Sequence, residues 1–194
     1  MEHHEPACRQ GRHQATSRES GMVELKQFVP GKVCLSCDGC CRYGQKETVW
    51  APFFLYDEIL KLTEKNIIPS SLFTHADAAV HKPARINLVG GAGQFICSCF
   101  EPAKNTCKIY EYRPLDCRLY PFIIARRGEK VFLTLDEKCP YTKKMEHTKI
   151  FKDYVAALLS LFASEDFIRL MKSNPGFIQE YPQDLRVLEP LPQM

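Results

Sequence analysis

The clearest periodicity lies toward the C-terminal end of the chain. Between Glu146 and Lys172, apolar residues recur at Ile150, Phe151, Tyr154, Val155, Leu158, Leu161 and Phe162, then at Phe167, Ile168 and Met171. Spacings of three and four place them on one helical stripe, and Ser164 followed by Glu165-Asp166 offers a new N-cap, so the pattern predicts two consecutive helices. Ser173-Asn174-Pro175-Gly176 ends the second. Leu55, Ile59, Leu60 and Leu62 predict a shorter helix stopped by Asn66 and Pro69. Strand patterns differ in period. Phe122 to Ala125 and Val131 to Leu135 flank Arg126-Arg127-Gly128-Glu129-Lys130, which predicts a hairpin with Gly128 at its turn. Ala84 to Val89 reads as a strand, and Gly90-Gly91-Ala92-Gly93 as a turn into Gln94 to Phe100; no Lys-Ser/Thr follows to make it a phosphate loop.

These elements predict an α+β protein with four stretches. Residues 1–27 lack hydrophobic periodicity and read as a mobile tail, 28–145 as the main domain, 146–176 as helices packed on it, and 177–194, with Pro182, Pro190 and Pro192, as an irregular tail. A chain of 194 residues suits one domain with appendages. Its 45% hydrophobic and 25% charged residues exclude a collagenous, coiled-coil or wholly disordered class.

Cysteine changes the picture. Of ten cysteines, nine fall between Cys34 and Cys139. Such density means either a disulfide framework in an oxidising compartment or thiolate ligands in a reducing one. The sequence opens on polar residues from Met1 to Gln10, without the apolar stretch of an export signal, and its longest apolar run, Tyr154 to Ala163, is too short to span a membrane. The expectation is a cytoplasmic protein, no membrane partner, and metal-binding thiolates. Eight thiolates around two divalent ions would reverse the sign of the small formal charge of +3. Basic residues are scattered, with Arg126-Arg127 and Lys143-Lys144 as isolated pairs, which argues against a nucleic-acid partner. His3, His4 and His13 read as part of a solvated tail, and Cys8 there as an ordinary thiol.

The nine cysteines form two blocks. The first is Cys34-Leu35-Ser36-Cys37-Asp38-Gly39-Cys40-Cys41, in which the two-residue spacing can turn a pair of sulfurs toward one ion and Gly39 can supply a left-handed knuckle. Adjacent Cys40 and Cys41 cannot comfortably chelate one tetrahedral ion, so one of them serves a second metal, bridges, or stays free. The second block comprises Cys97, Cys99, Cys107, Cys117 and Cys139, the last followed by Pro140. A zinc ribbon would place its second CxxC about 15–20 residues after the first, and none is there. Loops distant in sequence must therefore meet. Soft thiolates without nearby histidines point to zinc, iron or an iron–sulfur cluster, and away from magnesium or calcium. Two Cys₄ zinc sites would use eight of the nine; a cluster would leave several for another role. Arg113 and Arg118 flank Cys117 and can either donate to thiolates or pair with Glu111 or Asp116. Tyr110, Tyr112, Tyr120 and Phe122 are expected to pack around the centre.

Together the blocks resemble the YkgJ-type CxxCxxCC family of cysteine-cluster proteins, described as chelating zinc or iron. The resemblance runs from about Val33 to Tyr141 and rests on Cys34, Cys37, Cys40 and Cys41, on Cys107-Lys108-Ile109-Tyr110-Glu111, Arg113-Pro114, Cys117-Arg118 and Tyr120-Pro121-Phe122, and on Cys139-Pro140. The family pattern has one cysteine shortly before its CxIYE block, where this chain offers both Cys97 and Cys99. The resemblance implies a transition-metal centre, with a protein as a further partner. Flagellin lysine methylases look similar in their cysteine block and imply an alternative, iron-dependent methyl transfer from S-adenosylmethionine, although this chain shows no separate domain for that cofactor.

Overall fold

The computed structural model describes residues 25–37, 39–74, 82–181 and 185–194. His3, His4, Cys8, His13 and Asp38 lie outside them, as does the N-terminal tail up to residue 24. The fold is α+β. Its largest sheet has the order β10-β9-β8, all antiparallel, from β8 (Phe122–Arg127), β9 (Lys130–Leu135) and β10 (Arg186–Pro190). The β8–β9 hairpin turns at Gly128, whose φ of 59° at the first central position is the requirement of a type II′ turn. Strand alternation then divides its side chains. Phe122, Ile124, Val131, Leu133 and Leu135 face one hydrophobic cluster, while Ile123 and Ala125 face Trp50, Tyr181 and Leu185 on the other side.

The first cluster is closed by α5 (Lys149–Phe162) and α6 (Glu165–Ser173). Thr148 caps the Phe151 N–H, and Ser164, as its sequence predicts, caps the Phe167 N–H. Phe151, Leu158, Phe162, Phe167 and Met171 are buried, whereas Ile150 is 62% exposed and sits off the stripe. Phe28 joins this core from the opposite end of the chain, its ring edge-on to Phe122 and Phe151 at 5.3 and 5.7 Å. It thereby anchors the segment that leads into the first cysteine block.

A second cluster gathers Phe54, Ile59, Leu62, Phe73, Ile86, Phe100 and Ile109 around α2 (Tyr56–Glu64). Its framework is made of short strands: β1 (Arg42–Tyr43), β5 (Gln94–Cys97) and β4 (Leu88–Gly91) in one sheet, β2 (Phe53–Phe54) with β3 (Ala84–Arg85), and β6 (Phe100–Glu101) with β7 (Thr106–Cys107). The single strand expected over Ala84 to Val89 is therefore broken in two. The β4–β5 turn has positive φ at both Ala92 and Gly93, the signature of a type I′ hairpin, and a Cβ on Gly90 would lie 2.3 Å from the Gln94 carbonyl oxygen. Asn66, with φ of 52°, follows the end of α2 as expected.

Three local expectations need correction. The chain after Phe177, read as irregular, contributes β10, which adds to the free edge of β9 through a register shift between Val187 and Glu189. Gly39 has no left-handed backbone; it opens the 3₁₀ turn Gly39–Cys41. Two short helices also stand where the sequence pattern assigned no element, α1 (Gly31–Leu35) and α4 (Pro140–Met145). In α4, Pro140 occupies the first helical position, where a missing N–H costs nothing.

Candidate metal centre

Several short elements deliver the cysteines. Cys34 lies in α1, and its carbonyl accepts the Cys37 N–H at 3.1 Å, which folds the CxxC back on itself. Cys40 and Cys41 close the 3₁₀ turn, and the Tyr43 hydroxyl donates to the Cys40 carbonyl at 2.8 Å. Strand β1 then pairs with β5, carrying Cys97 at its end. Cys107 sits in β7 opposite Phe100, and the Lys108 N–H donates to the Cys99 carbonyl. Helix α3 (Leu115–Leu119) presents Cys117, and Cys139 is the N-cap of α4.

The first helix and α3 are held tightly in place. A Cβ on Gly31 would stand 3.0 Å from the Tyr110 hydroxyl, so glycine lets the ring pack directly on α1. Glu58 joins two helix starts, accepting the Leu55 N–H of α2 at 3.0 Å and the Leu115 N–H of α3 at 2.7 Å. Burial raises its carboxyl to about 7. Asp116 accepts the Phe53 N–H at 2.9 Å, fixing α3 to β2.

All nine cysteines line one cavity of about 560 Å³. The two hydrophobic clusters meet there: Cys139 belongs to the first and Cys34 packs on it, whereas Cys97 and Cys99 belong to the second and Cys41 and Cys107 pack on it. None is in a disulfide. The thiols of the two blocks lie close enough to act on each other's ionisation. Cys34 feels Cys40 and Cys37; Cys117 feels Cys97, Cys40 and Cys107; Cys107 feels Cys97 and Cys34. Cys40 is thus common to both groups.

Without a cation, burial and these neighbours favour the protonated form of Cys34, Cys40, Cys97, Cys107 and Cys117. Burial first, and then nearby thiols, raises Cys34; burial and Asp116 raise Cys117; burial raises Cys107. Hydrogen bonding to the adjacent thiol is the leading cause for Cys40, toward Cys41, and for Cys97, toward Cys99. A bound cation inverts this logic, because a coordinating thiol loses its proton. Among the described residues, no three Cys, His, Asp or Glu side chains converge as a finished cation site. The donor chemistry fits zinc or iron, and a closed coordination shell requires deprotonation and rotation of the cysteine side chains.

Arg113 brings positive charge to the Cys34 thiol. Its Nη1 lies 3.5 Å from the Cys34 sulfur, Nη2 donates to Gln27 Oε1 at 2.7 Å, Nε donates to the Tyr110 carbonyl, and the guanidinium lies 3.6 Å from the Tyr110 ring centroid. Arg113 therefore serves a thiol, but of Cys34 and not of neighbouring Cys117. Arg118 faces Glu58 at 3.7 Å, a partner the local sequence did not suggest. Tyr110 and Tyr120 line the cavity as expected; Tyr112 is 44% exposed, and Phe122 packs with Phe28 and Phe151 in the first core. Tyr43, Gln27, Trp50 and Asp136 line the cavity without having been singled out. Only Tyr43 carried a signal, an aromatic residue two positions past the CxxCxxCC run.

Among the described residues, no helix is long and apolar enough to cross a membrane. No curated protein and no solved structure matches the chain. The family model CxxCxxCC, described as a "Putative zinc- or iron-chelating domain", matches residues 33–140, more than half of the chain. That span begins one residue before Cys34 and ends one after Cys139, so it contains every cavity-lining cysteine, and the chain belongs to the CxxCxxCC family of zinc- or iron-chelating domains.

Proposed function

We propose that the cavity holds zinc or iron in one shared thiolate centre and not in two separate Cys₄ sites. The observation that carries this is that all nine cysteines line one cavity, with Cys40 near enough to bear on the ionisation of Cys34 in its own block and of Cys117 in the other. The ligands are Cys34, Cys37, Cys40, Cys41, Cys107, Cys117 and Cys139, with Cys97 as the eighth. Cys97 is favoured over Cys99 because its sulfur acts on Cys107, Cys117 and Tyr43, while Cys99 enters as its hydrogen-bonded neighbour. When bound, the metal supplies positive charge that keeps the thiolates ionised and joins the two halves of the domain. Arg113 offsets part of the excess negative charge of such a shell, and Tyr43 and Tyr120 exclude water from it. A soluble, cytoplasmic metal-binding module, with a protein as its further partner, is the role this reading supports.

The second reading is an iron-containing enzyme. It is favoured by the cavity itself, whose volume falls in the range of small-molecule sites and whose walls extend past the cysteines to Trp50, Ile123 and Tyr181. Methyl transfer is one such chemistry. Protein purified without oxygen separates the readings: zinc in a colourless sample supports the module, while brown colour with acid-labile sulfide supports an iron–sulfur centre. Absence of both metals at any stoichiometric level overturns the thiolate centre.

A further inference from the structure

The cavity has an end that the thiols do not occupy. Tyr120 lines the cavity together with Cys40 and Cys139 and donates its hydroxyl to Asp136 Oδ2 at 3.1 Å. The other oxygen of Asp136 accepts the Lys138 N–H at 3.0 Å, and the Lys138 ammonium lies 5.4 Å from the centroid of the Trp50 ring. Trp50 in turn meets Tyr181 at 4.8 Å between centroids, with Ile123 and Pro52 completing the walls. This chain of contacts runs from the cysteines to an aromatic compartment in the same cavity.

The polar groups of that compartment are unevenly matched. The Trp50 Nε1–H is buried and has no hydrogen-bond partner among the described residues, a cost that an acceptor from a ligand would remove. Lys138 adds positive charge at the rim. The Asp136 carboxylate already receives the Tyr120 hydroxyl and the Lys138 N–H, which offsets its repulsion of a second anion. Two aromatic rings and a branched aliphatic wall suit a flat apolar body. We infer that this compartment binds a small carboxylate with an apolar, preferably aromatic body, held by the Trp50 N–H and Lys138 beside the thiolate centre. The inference rests on the metal-centre reading for what lies next to the ligand, but the contacts that hold the ligand are independent of it.

Trp50 is the sole tryptophan of the chain, so its fluorescence reports on this compartment alone. Phenylacetate added to the full-length, anaerobically purified protein is expected to change that fluorescence saturably. Phenethylamine, with the same ring and the opposite charge, should bind at least about tenfold more weakly, and Lys138→Met should weaken phenylacetate by a similar factor. Calorimetry on Trp50→Phe, which keeps a ring and loses the N–H, should show a comparable loss. Metal is measured on the same samples. Metal present with no saturable response, equal binding of the two probes, or unchanged affinity in both variants overturns the carboxylate site. Metal absent from the wild type overturns the thiolate centre whatever the probes do.

Discussion

The two halves of the molecule are stabilised by different means. The β8–β9–β10 sheet with α5 and α6 is an ordinary core, in which Leu133, Leu135 and Phe162 are wholly buried and long elements satisfy their own backbones. The cysteine half consists of strands of two to four residues, the nine-residue helix α2 and the five-residue helices α1 and α3, and its buried positions include Cys97 and Cys99. Short strands bury little and order much chain, so this half depends on cross-links that apolar contact does not provide. The same difference decides where mutations act: in the first half on stability directly, in the second on metal and through it on stability.

The strongest test of that difference uses the ligands. Cys117→Ser and Cys139→Ser are expected to lose bound metal, counted as ions per chain, while Cys8→Ser keeps it; full retention in the first two would mean that the CxxCxxCC run binds alone. Chelation comes next. It should abolish amide-exchange protection over Cys34 to Cys41 and Cys97 to Cys117 and leave it in β8, β9 and α5, a local loss on the order of the roughly 10 kcal/mol by which structural metal stabilises small domains. Equal loss in both halves would erase the contrast.

A smaller effect is expected from the apolar half. Leu133→Ala should cost about 3–5 kcal/mol in denaturant unfolding with metal content unchanged. Glu58 tests the joint between the halves. Its folded carboxyl titrates near pH 7 against an ordinary value of 4.5, so the folded state holds the proton more tightly. Its contribution is fully present below about pH 4.5 and is lost as pH rises through about 7, a change on the order of 3 kcal/mol. The difference in stability between wild type and Glu58→Gln should carry that slope; a difference constant with pH would contradict it. Least of all, Ser164→Ala should remove the cap on α6 and cost about 1 kcal/mol without touching metal.

The sequence was most legible where structure is local. Ser164, Asn66 and Gly128 act through their own backbone neighbours, and each does what its residue type predicts. Strand β10 was hidden because Arg186-Val187-Leu188-Glu189-Pro190 owes its conformation to the edge of β9, some 50 residues earlier, and its Pro190 reads as a breaker. In the site, spacing found the cysteines but not their surroundings. Gln27, Asp136 and Trp50 reach the cavity from positions with no motif, while Tyr112 and Phe122 were drawn in by closeness in sequence and turned away by the path of the backbone. Arg113 shows the same limit: it lies four residues from Cys117 yet donates to Cys34, 79 residues away.

The spread of the thiols along the chain also sets an order in time. Cys34 to Cys41 leave the ribosome about 100 residues before Cys139, an interval of roughly 5–20 s at ordinary rates of synthesis. For most of it, four thiols stand together with neither the α3 cysteine nor the α4 cap available to complete a shell. Assembly of the centre is therefore a late event in the life of the nascent polypeptide, and the early run is the part that a metal-delivering or thiol-protecting factor would meet first.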